Sequence, residues 1–177
     1  MKRFLVLIVI LFAGCGESDP DSDQNSSQGI TPEVIEQVNA SGTITDEQAK
    51  ILSKVEGVLD LNGLTSITDT QAENLSKVRS IRLNGLTSIT DYQAENLSKI
   101  SGTVGLGGLT SISDDQAESL SKVSYLILSC LTSITTEQAE SLCKVDFILD
   151  LNGLTSITDG QAESLSKAEG LTLNGLT

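Results

Sequence analysis

Hydrophobic and polar positions recur in one fixed order along most of this chain. Apolar residues hold the same places in a phrase of 22 or 23 residues, which is cleanest in residues 61–77 (LNGLTSITDTQAENLSK). A period in this range is typical of a solenoid whose units bury their apolar faces only against each other. The first copy is degenerate and the last is incomplete. The copies begin at Val38, Leu61, Leu83, Leu106, Leu128, Leu151 and Leu173.

Each copy predicts a short strand, a turn and then a short helix. In residues 78–99, Ile81 and Leu83 alternate with polar neighbours, which is typical of a half-buried strand. Thr90 and Gln93 have the spacing of a capping box, in which each side chain bonds the other's backbone N–H at a helix start. The unit is therefore a strand followed by a helix, and stacked units predict an α/β solenoid with a parallel sheet.

The helix of this unit predicts an apolar inner face and a polar outer face. Ala94 and Leu97 lie three residues apart and should face the core. We expect Glu95, Asn96 and Lys99 to face water, with the lysine favoured at the helix C-terminus by the helix dipole.

The spacing of the copies alternates between 23 and 22 residues. The extra residue lies between the lysine that follows each helix and the next strand, in residues 54–61 but not in residues 77–83. We infer that the duplicated unit is a pair of repeats, and we expect alternate helix-to-strand loops to differ.

The order of residues 78–91 (VRSIRLNGLTSITD) resembles the leucine-rich repeat, in the variety written Leu-x-x-Leu-x-Leu-x-x-Cys-x-x-Ile-Thr-Asp. Leu86 stands where that variety has cysteine. The resemblance covers residues 38–177 and implies a curved, right-handed stack with strands on the concave face. It also implies a function in binding rather than catalysis.

Residues 1–14 have the pattern of an export signal, with Lys2 and Arg3 followed by an unbroken apolar run over residues 4–12. The segment LFAGC, which ends at Cys15, resembles the lipobox of bacterial lipoproteins. That resemblance implies that Cys15 is lipidated and becomes the mature N-terminus. The alternative is an ordinary secretory signal with an unrelated cysteine.

The lipobox resemblance also implies a location in the bacterial cell envelope. Gly16 is not the aspartate that retains lipoproteins at the inner membrane in enteric-type sorting, which favours the outer membrane or the cell surface. Residues 15–29 are polar and predict a disordered tether.

The remainder of the chain divides into a cap and a solenoid. Thr31 and Pro32 predict a capping helix over residues 30–37, and the solenoid should occupy residues 38–177. The last repeat stops in the middle of its phrase, so its strand would be an open edge. Either the natural chain is longer, or this edge meets a partner or a second copy.

Charge and composition narrow the functional classes. The net charge is −13, so a nucleic-acid partner is not expected. The chain has no histidine, which removes the usual catalytic triads and zinc ligand sets, and we expect no metal and no cofactor. Cys130 and Cys143 should lie too far apart within one repeat for a disulfide and are predicted to be free thiols.

Outward strand positions vary between copies while inward positions stay nearly constant, so the outward positions are the candidate binding face. Tyr125, Ile127 and Ile148 are its predicted apolar cluster, although drift on an unused surface would produce variation too. A neighbouring column of asparagines favours turn chemistry over recognition. The candidate residues are Val58, Asp60, Ser80, Arg82, Tyr125, Ile127, Ile148, Asp150 and Thr172.

These observations together predict a membrane-anchored, non-enzymatic module of the bacterial envelope that binds a protein or an envelope polymer. The first alternative is a surface structural or adhesive array in which repeats act as spacers. The second is an enzyme of unknown type, for which the sequence offers no convergent polar site.

Overall fold

A computed structural model describes residues 32–177, so the signal, Cys15 and the tether lie outside the described residues. The described chain is an α/β solenoid with seven helices and one parallel sheet of six strands in sequence order, not closed into a barrel. The elements are α1 (Pro32–Ser41), α2 (Asp46–Leu52), β1 (Val58–Asp60), α3 (Asp69–Leu75), β2 (Ser80–Arg82), α4 (Asp91–Leu97), β3 (Thr103–Gly105), α5 (Asp114–Leu120), β4 (Tyr125–Ile127), α6 (Thr136–Leu142), β5 (Ile148–Asp150), α7 (Asp159–Leu165) and β6 (Leu171–Thr172).

The predicted capping boxes are present at the start of every helix from α2 to α7. At α4, the hydroxyl of Thr90 accepts from the backbone N–H of Gln93, and the Gln93 side chain accepts from the backbone N–H of Thr90. Each of these helices has only seven residues, which is too short to be stable in isolation. Their stability must therefore come from capping and from packing between repeats.

The strands confirm the alternation predicted from the spacing. Leu59 pairs with Ile81, 22 residues on, and Ile81 pairs with Val104, 23 residues on. The loop that precedes β1 spans residues 53–57, whereas the loop that precedes β2 spans only residues 76–79. Alternate loops thus differ by one residue, as a duplicated pair of repeats requires.

The core is one continuous column of apolar side chains between the sheet and the helices. The middle residue of each strand from β1 to β5 points inward and is fully buried, together with the leucine after the strand and the alanine and leucine of most helices. Because each layer is covered by the next, no single repeat contains a complete core. The inward strand residues are Leu59, Ile81, Val104, Leu126 and Leu149.

The N-terminal helix differs from the prediction. It was expected over residues 30–37, but α1 continues to Ser41 and includes Val38, where the sequence pattern placed the start of the first repeat. No residue after Pro32 interrupts the helix until Gly42, whose φ of 71° ends it and whose N–H donates to Val38 O at 3.0 Å. The side chain of Asn39 then bonds the backbone of β1 through Asp60 O, at 2.9 Å. Thus α1 covers the first strand.

The expectation that Asn96 faces water is wrong. Asn96 is only 1% exposed. Its amide donates to Tyr92 O at 2.9 Å and its carbonyl oxygen accepts from Lys99 Nζ at 2.9 Å. The polar side chain is buried because both of its polar ends have partners within α4 and the residue that follows it.

Neighbouring repeats are tied together by a row of glutamine side chains. The glutamine of each capping box from α3 to α7 also donates from Nε2 to a backbone oxygen of the preceding repeat. For Gln93 the acceptor is Ile67 O at 3.0 Å, and Asp69 Oδ1 accepts from the same nitrogen at 3.0 Å. The equivalent bonds to a preceding isoleucine are made by Gln71, Gln116, Gln138 and Gln161.

Within residues 32–177, no helix has both the length and the apolar character needed to span a bilayer.

Candidate binding surface

The outer face of the sheet is formed by the first and third residues of each strand, because the middle residue points into the core. The sheet register places the predicted residues in two columns, as expected for parallel strands about 4.8 Å apart. One column contains Val58, Ser80, Thr103, Tyr125 and Ile148; the other contains Asp60, Arg82, Gly105, Ile127, Asp150 and Thr172.

The centre of this face is apolar and partly exposed. The rings of Tyr125 and Phe147 stack with centroids 5.4 Å apart and planes 20° apart. Tyr125 is 37% exposed, Phe147 52% and Ile148 44%, and the half-buried Ile127 lies on the same strand as Tyr125. We name Tyr125, Ile127, Phe147 and Ile148 the aromatic patch.

Phe147 was missed in the sequence because it lies in a loop, one residue before β5. The equivalent positions before β1 and β3 are Gly57 and Gly102, so a phenylalanine at this place was a visible departure from the repeat. Its backbone N–H donates to Ser124 O at 3.0 Å, which fixes the loop beside β4. The backbone therefore holds the ring against Tyr125.

Val58 does not belong to the aromatic patch. It is exposed on β1, and the register places Ser80 and Thr103 between it and Tyr125. Single exposed apolar residues are common on protein surfaces, so Val58 adds little to a candidate interface.

Ser80 is not available on this face. It is only 8% exposed, and its Oγ accepts from the backbone N–H of Thr103 at 3.0 Å. The hydroxyl replaces a strand-to-strand contact between β2 and β3, so Ser80 has a structural role.

The polar end of the face contains one ion pair. Arg82 Nη1 lies 3.6 Å from Asp60 Oδ2, and both side chains are about half exposed. Asp60 Oδ1 also accepts from the backbone N–H of Asn62 at 3.2 Å. An exposed pair of this kind contributes about 0–1 kcal/mol, so its effect is on the charge pattern of the surface rather than on stability.

The opposite end of the face differs because Asp150 has no cationic neighbour in its column. Its neighbours in register are Ile127 and Thr172. Asp150 Oδ1 accepts from the backbone N–H of Asn152 at 3.0 Å. The aromatic patch is thus bordered by a carboxylate on this side.

Thr172 Oγ1 is buried without a hydrogen-bond partner in the described chain, and nothing in the structure explains it.

The asparagine column connects repeats. Asn84 Oδ1 accepts from the backbone N–H of Gly107 at 2.8 Å, one repeat further on. Asn62 accepts in the same way from the N–H of Asn84 at 3.0 Å. The prediction of a structural role fits these contacts, although each asparagine bonds the turn of the next repeat and not the turn in which it lies.

The two cysteines of the described chain are free thiols. Cys130 is exposed in a turn, and Cys143 ends α6, where its Sγ lies 3.3 Å from Glu140 O. Neither lies in the aromatic patch.

Comparison with known proteins found no match. No protein-family model, no curated protein and no solved structure matches this chain.

Proposed function

We propose that this protein is a membrane-anchored, non-enzymatic binding module of the bacterial cell envelope, and that it binds a protein partner through the aromatic patch. The proposal assigns the repeats to a leucine-rich-repeat-like scaffold and Cys15 to lipid attachment.

The observation that carries the proposal is the exposed, stacked pair of Tyr125 and Phe147. Aromatic residues are enriched at the centres of protein interfaces, where they bury large areas at low entropic cost. These rings already stack on each other and are attached to a regular sheet, so little conformational freedom would be lost on binding.

The surroundings of the patch also support a binding role. Ile148 and Ile127 extend the apolar area, while Asp150 borders it and leaves an acceptor at its rim. An apolar centre with a polar rim is the usual arrangement of a specific protein interface.

A binding experiment with matched tyrosine variants tests the proposal. The full chain is used to capture partners from envelope extract, and the affinity for the captured partner is then measured with purified proteins. The Tyr125→Ala/Phe147→Ala variant should bind at least about tenfold more weakly, as expected for the loss of an interface hot spot. Tyr92→Ala is the control, because Tyr92 is 48% exposed on α4, away from the sheet.

Equal binding by wild type and the double variant would contradict the role of the patch. Equal weakening by Tyr92→Ala would also contradict it.

The membrane anchor needs a separate test because residues 1–31 are not described. Labelling with a clickable fatty acid should mark the wild-type protein and not Cys15→Ser, which should leave the membrane fraction. Unchanged labelling of the variant would exclude Cys15 as the lipidation site.

Self-association through β6 stays a prediction of the first alternative, a structural array. Light scattering over a concentration series tests it.

A further inference from the structure

A basic concavity lies at the junction of the first two complete repeats. Lys54, Lys77 and Arg79 line an open depression of about 390 Å³ between the loops that precede β1 and β2, together with one carboxylate, Glu56. Gly57 forms part of its wall, and a side chain atom added there would meet nothing within 4 Å. The depression is therefore accessible, and positive charge predominates in it.

None of these cations forms an ion pair within the described residues. In that part of the chain, the one ion pair within 4.0 Å joins Arg82 to Asp60. The amino group of Lys77 lies 3.3 Å from the neutral Asn74 Oδ1. Three cations that share one depression with a single carboxylate, Glu56, are unusual in a chain with a net charge of −13.

Two departures from the repeat create this excess of positive charge. In the α2 helix, Lys50 stands where every later helix has glutamate. The residues at this position are Lys50, Glu73, Glu95, Glu118, Glu140 and Glu163. In the loop before β2, Arg79 stands at the level where the other loops have acidic residues or serine. Those residues are Glu56, Ser101, Ser124, Asp146 and Glu169.

The Lys50 departure adds positive charge next to a lysine. In later repeats a glutamate of the helix lies four residues before the lysine that follows the helix, as in Glu73 and Lys77. In the first repeat the same spacing pairs Lys50 of α2 with Lys54, two residues past the helix end, so two like charges that repel replace an opposite pair. A bound anion would turn this repulsion into attraction.

The other depressions on the helix side carry less positive charge. One is lined by Lys144 and Lys167 with one carboxylate, Glu140, and has no arginine. Another is lined by Asp91, Glu95, Asp115 and Glu118 with Lys122 as its one cation. Since the repeats are near-copies, three cations in one depression with an arginine among them are a local feature and not a property of the fold.

We propose that the depression formed by Lys54, Lys77 and Arg79, with Lys50 four residues before Lys54, is a binding site for a phosphate group. The planar guanidinium of Arg79 can donate two parallel hydrogen bonds to phosphate oxygens, and the lysines add point charges. The phosphate can belong to a soluble molecule or to a phospholipid headgroup, which share this chemistry. The site is separate from the aromatic patch and does not depend on the binding role proposed above.

The test is an NMR titration of the full chain with pyrophosphate, against chloride at equal ionic strength. Saturable shifts are expected at the backbone amides of residues 53–57 and 77–80. The Lys50→Glu/Arg79→Ser variant restores residues found at the same positions in other repeats, so its fold should be retained. It should bind about tenfold more weakly, because Arg79→Ser removes one cation from the depression and Lys50→Glu lowers the charge of the preceding helix by two units.

The matched control is Lys122→Glu/Lys167→Ser, which changes the net charge by the same amount at exposed positions in other repeats. It should alter the affinity by less than about twofold, because charges beyond a Debye length of about 10 Å are screened. Equal weakening by both variants would show that only net charge matters and would overturn the site. No saturable shift with pyrophosphate, together with an absence of the vesicle effect described next, would overturn it as well.

A second arm distinguishes the sources of the phosphate. The full chain is sedimented with vesicles of phosphatidylcholine alone or with added phosphatidylglycerol. Additional binding to the anionic vesicles that the Lys50→Glu/Arg79→Ser variant loses assigns the site to a headgroup. Pyrophosphate binding without this difference assigns it to a soluble phosphate compound.

Discussion

The row of helix starts and the outer face of the sheet come from the same repeats, yet one is nearly constant and the other varies. At the helix starts from α3 to α7, each glutamine caps its own helix and bonds the preceding repeat. On the outer face, the residue after the middle of the strand is in turn Asp60, Arg82, Gly105, Ile127, Asp150 and Thr172, and in this column the one ion pair between repeats joins Asp60 to Arg82. The constant positions are therefore those whose side chains bond the backbone of the preceding repeat in nearly every copy.

Helix α2 sharpens this comparison. Gln48 of α2 completes a capping box with Thr45, but in the described chain α1, and not a strand-and-helix repeat, precedes it. Gln48 is half-buried, whereas Gln93 is 6% exposed and bonds Ile67 O. The same residue thus has one role in the first repeat and two roles in later ones.

The largest expected effect separates the interior from the outer face. Leu106→Ala should lower the free energy of unfolding by about 2–5 kcal/mol, because Leu106 is fully buried and its truncation leaves a cavity. Ile148→Ala, on the outer face, should cost about 1 kcal/mol or less. Urea unfolding followed by far-UV circular dichroism measures both. Similar losses would show that the outer face is packed like the core.

A second pair of variants applies one substitution to two glycines of the same repeat. Gly153 lies at a turn position that is glycine in every copy from Leu61 onward except the one with Cys130, and Gly160 lies at a position that varies. A methyl group at Gly153 would lie 2.6 Å from the backbone oxygens of Ser129 and Leu131, so Gly153→Ala should destabilise by about 1–3 kcal/mol. At Gly160, within α7, the nearest atom is Thr136 Cγ2 at 3.9 Å. Gly160→Ala should therefore stabilise by about 0.5–1 kcal/mol. Thermal unfolding measures the sign, and a loss at both positions would refute the distinction.

The smallest effect isolates the bond between repeats. Gln93→Ala removes a cap and the bond to Ile67 O, and should cost about 1–2 kcal/mol. Gln48→Ala removes a cap alone and should cost about 0.5–1 kcal/mol. The difference in urea midpoint between the two variants reports the inter-repeat bond, and the absence of a difference would assign constancy to capping alone.

Much of the fold was predictable from the sequence because the same pattern of residues recurs in several copies. The capping boxes, the inward strand residues and the alternating loop length were all predicted and are confirmed. The failures fall where one copy departs from the others or where an end has no neighbour. Val38 was expected to begin the first repeat but lies in α1, which covers β1 and adds no strand to the sheet.

The sequence predicted which residues of the candidate surface share a column of the sheet. It did not predict which of them are exposed or in contact. The register of residues such as Tyr125 and Ile148 follows from counting repeats. The burial of Ser80 and the stacking of Phe147 on Tyr125 do not, because both depend on the path of a loop or on a backbone N–H of the adjacent strand. Those contacts cannot be predicted from the pattern of hydrophobic and polar residues.

The sequence by itself determined the repeat, its strand-then-helix order and the side that its apolar residues face, because these depend on local periodicity and on caps within a few residues. Tertiary structure alone decided which polar groups are shared between repeats. Asn84 bonds the turn of the next repeat, and Gln93 bonds the preceding one. These partners lie more than twenty residues away, and only the stacking of whole repeats brings them within hydrogen-bond distance.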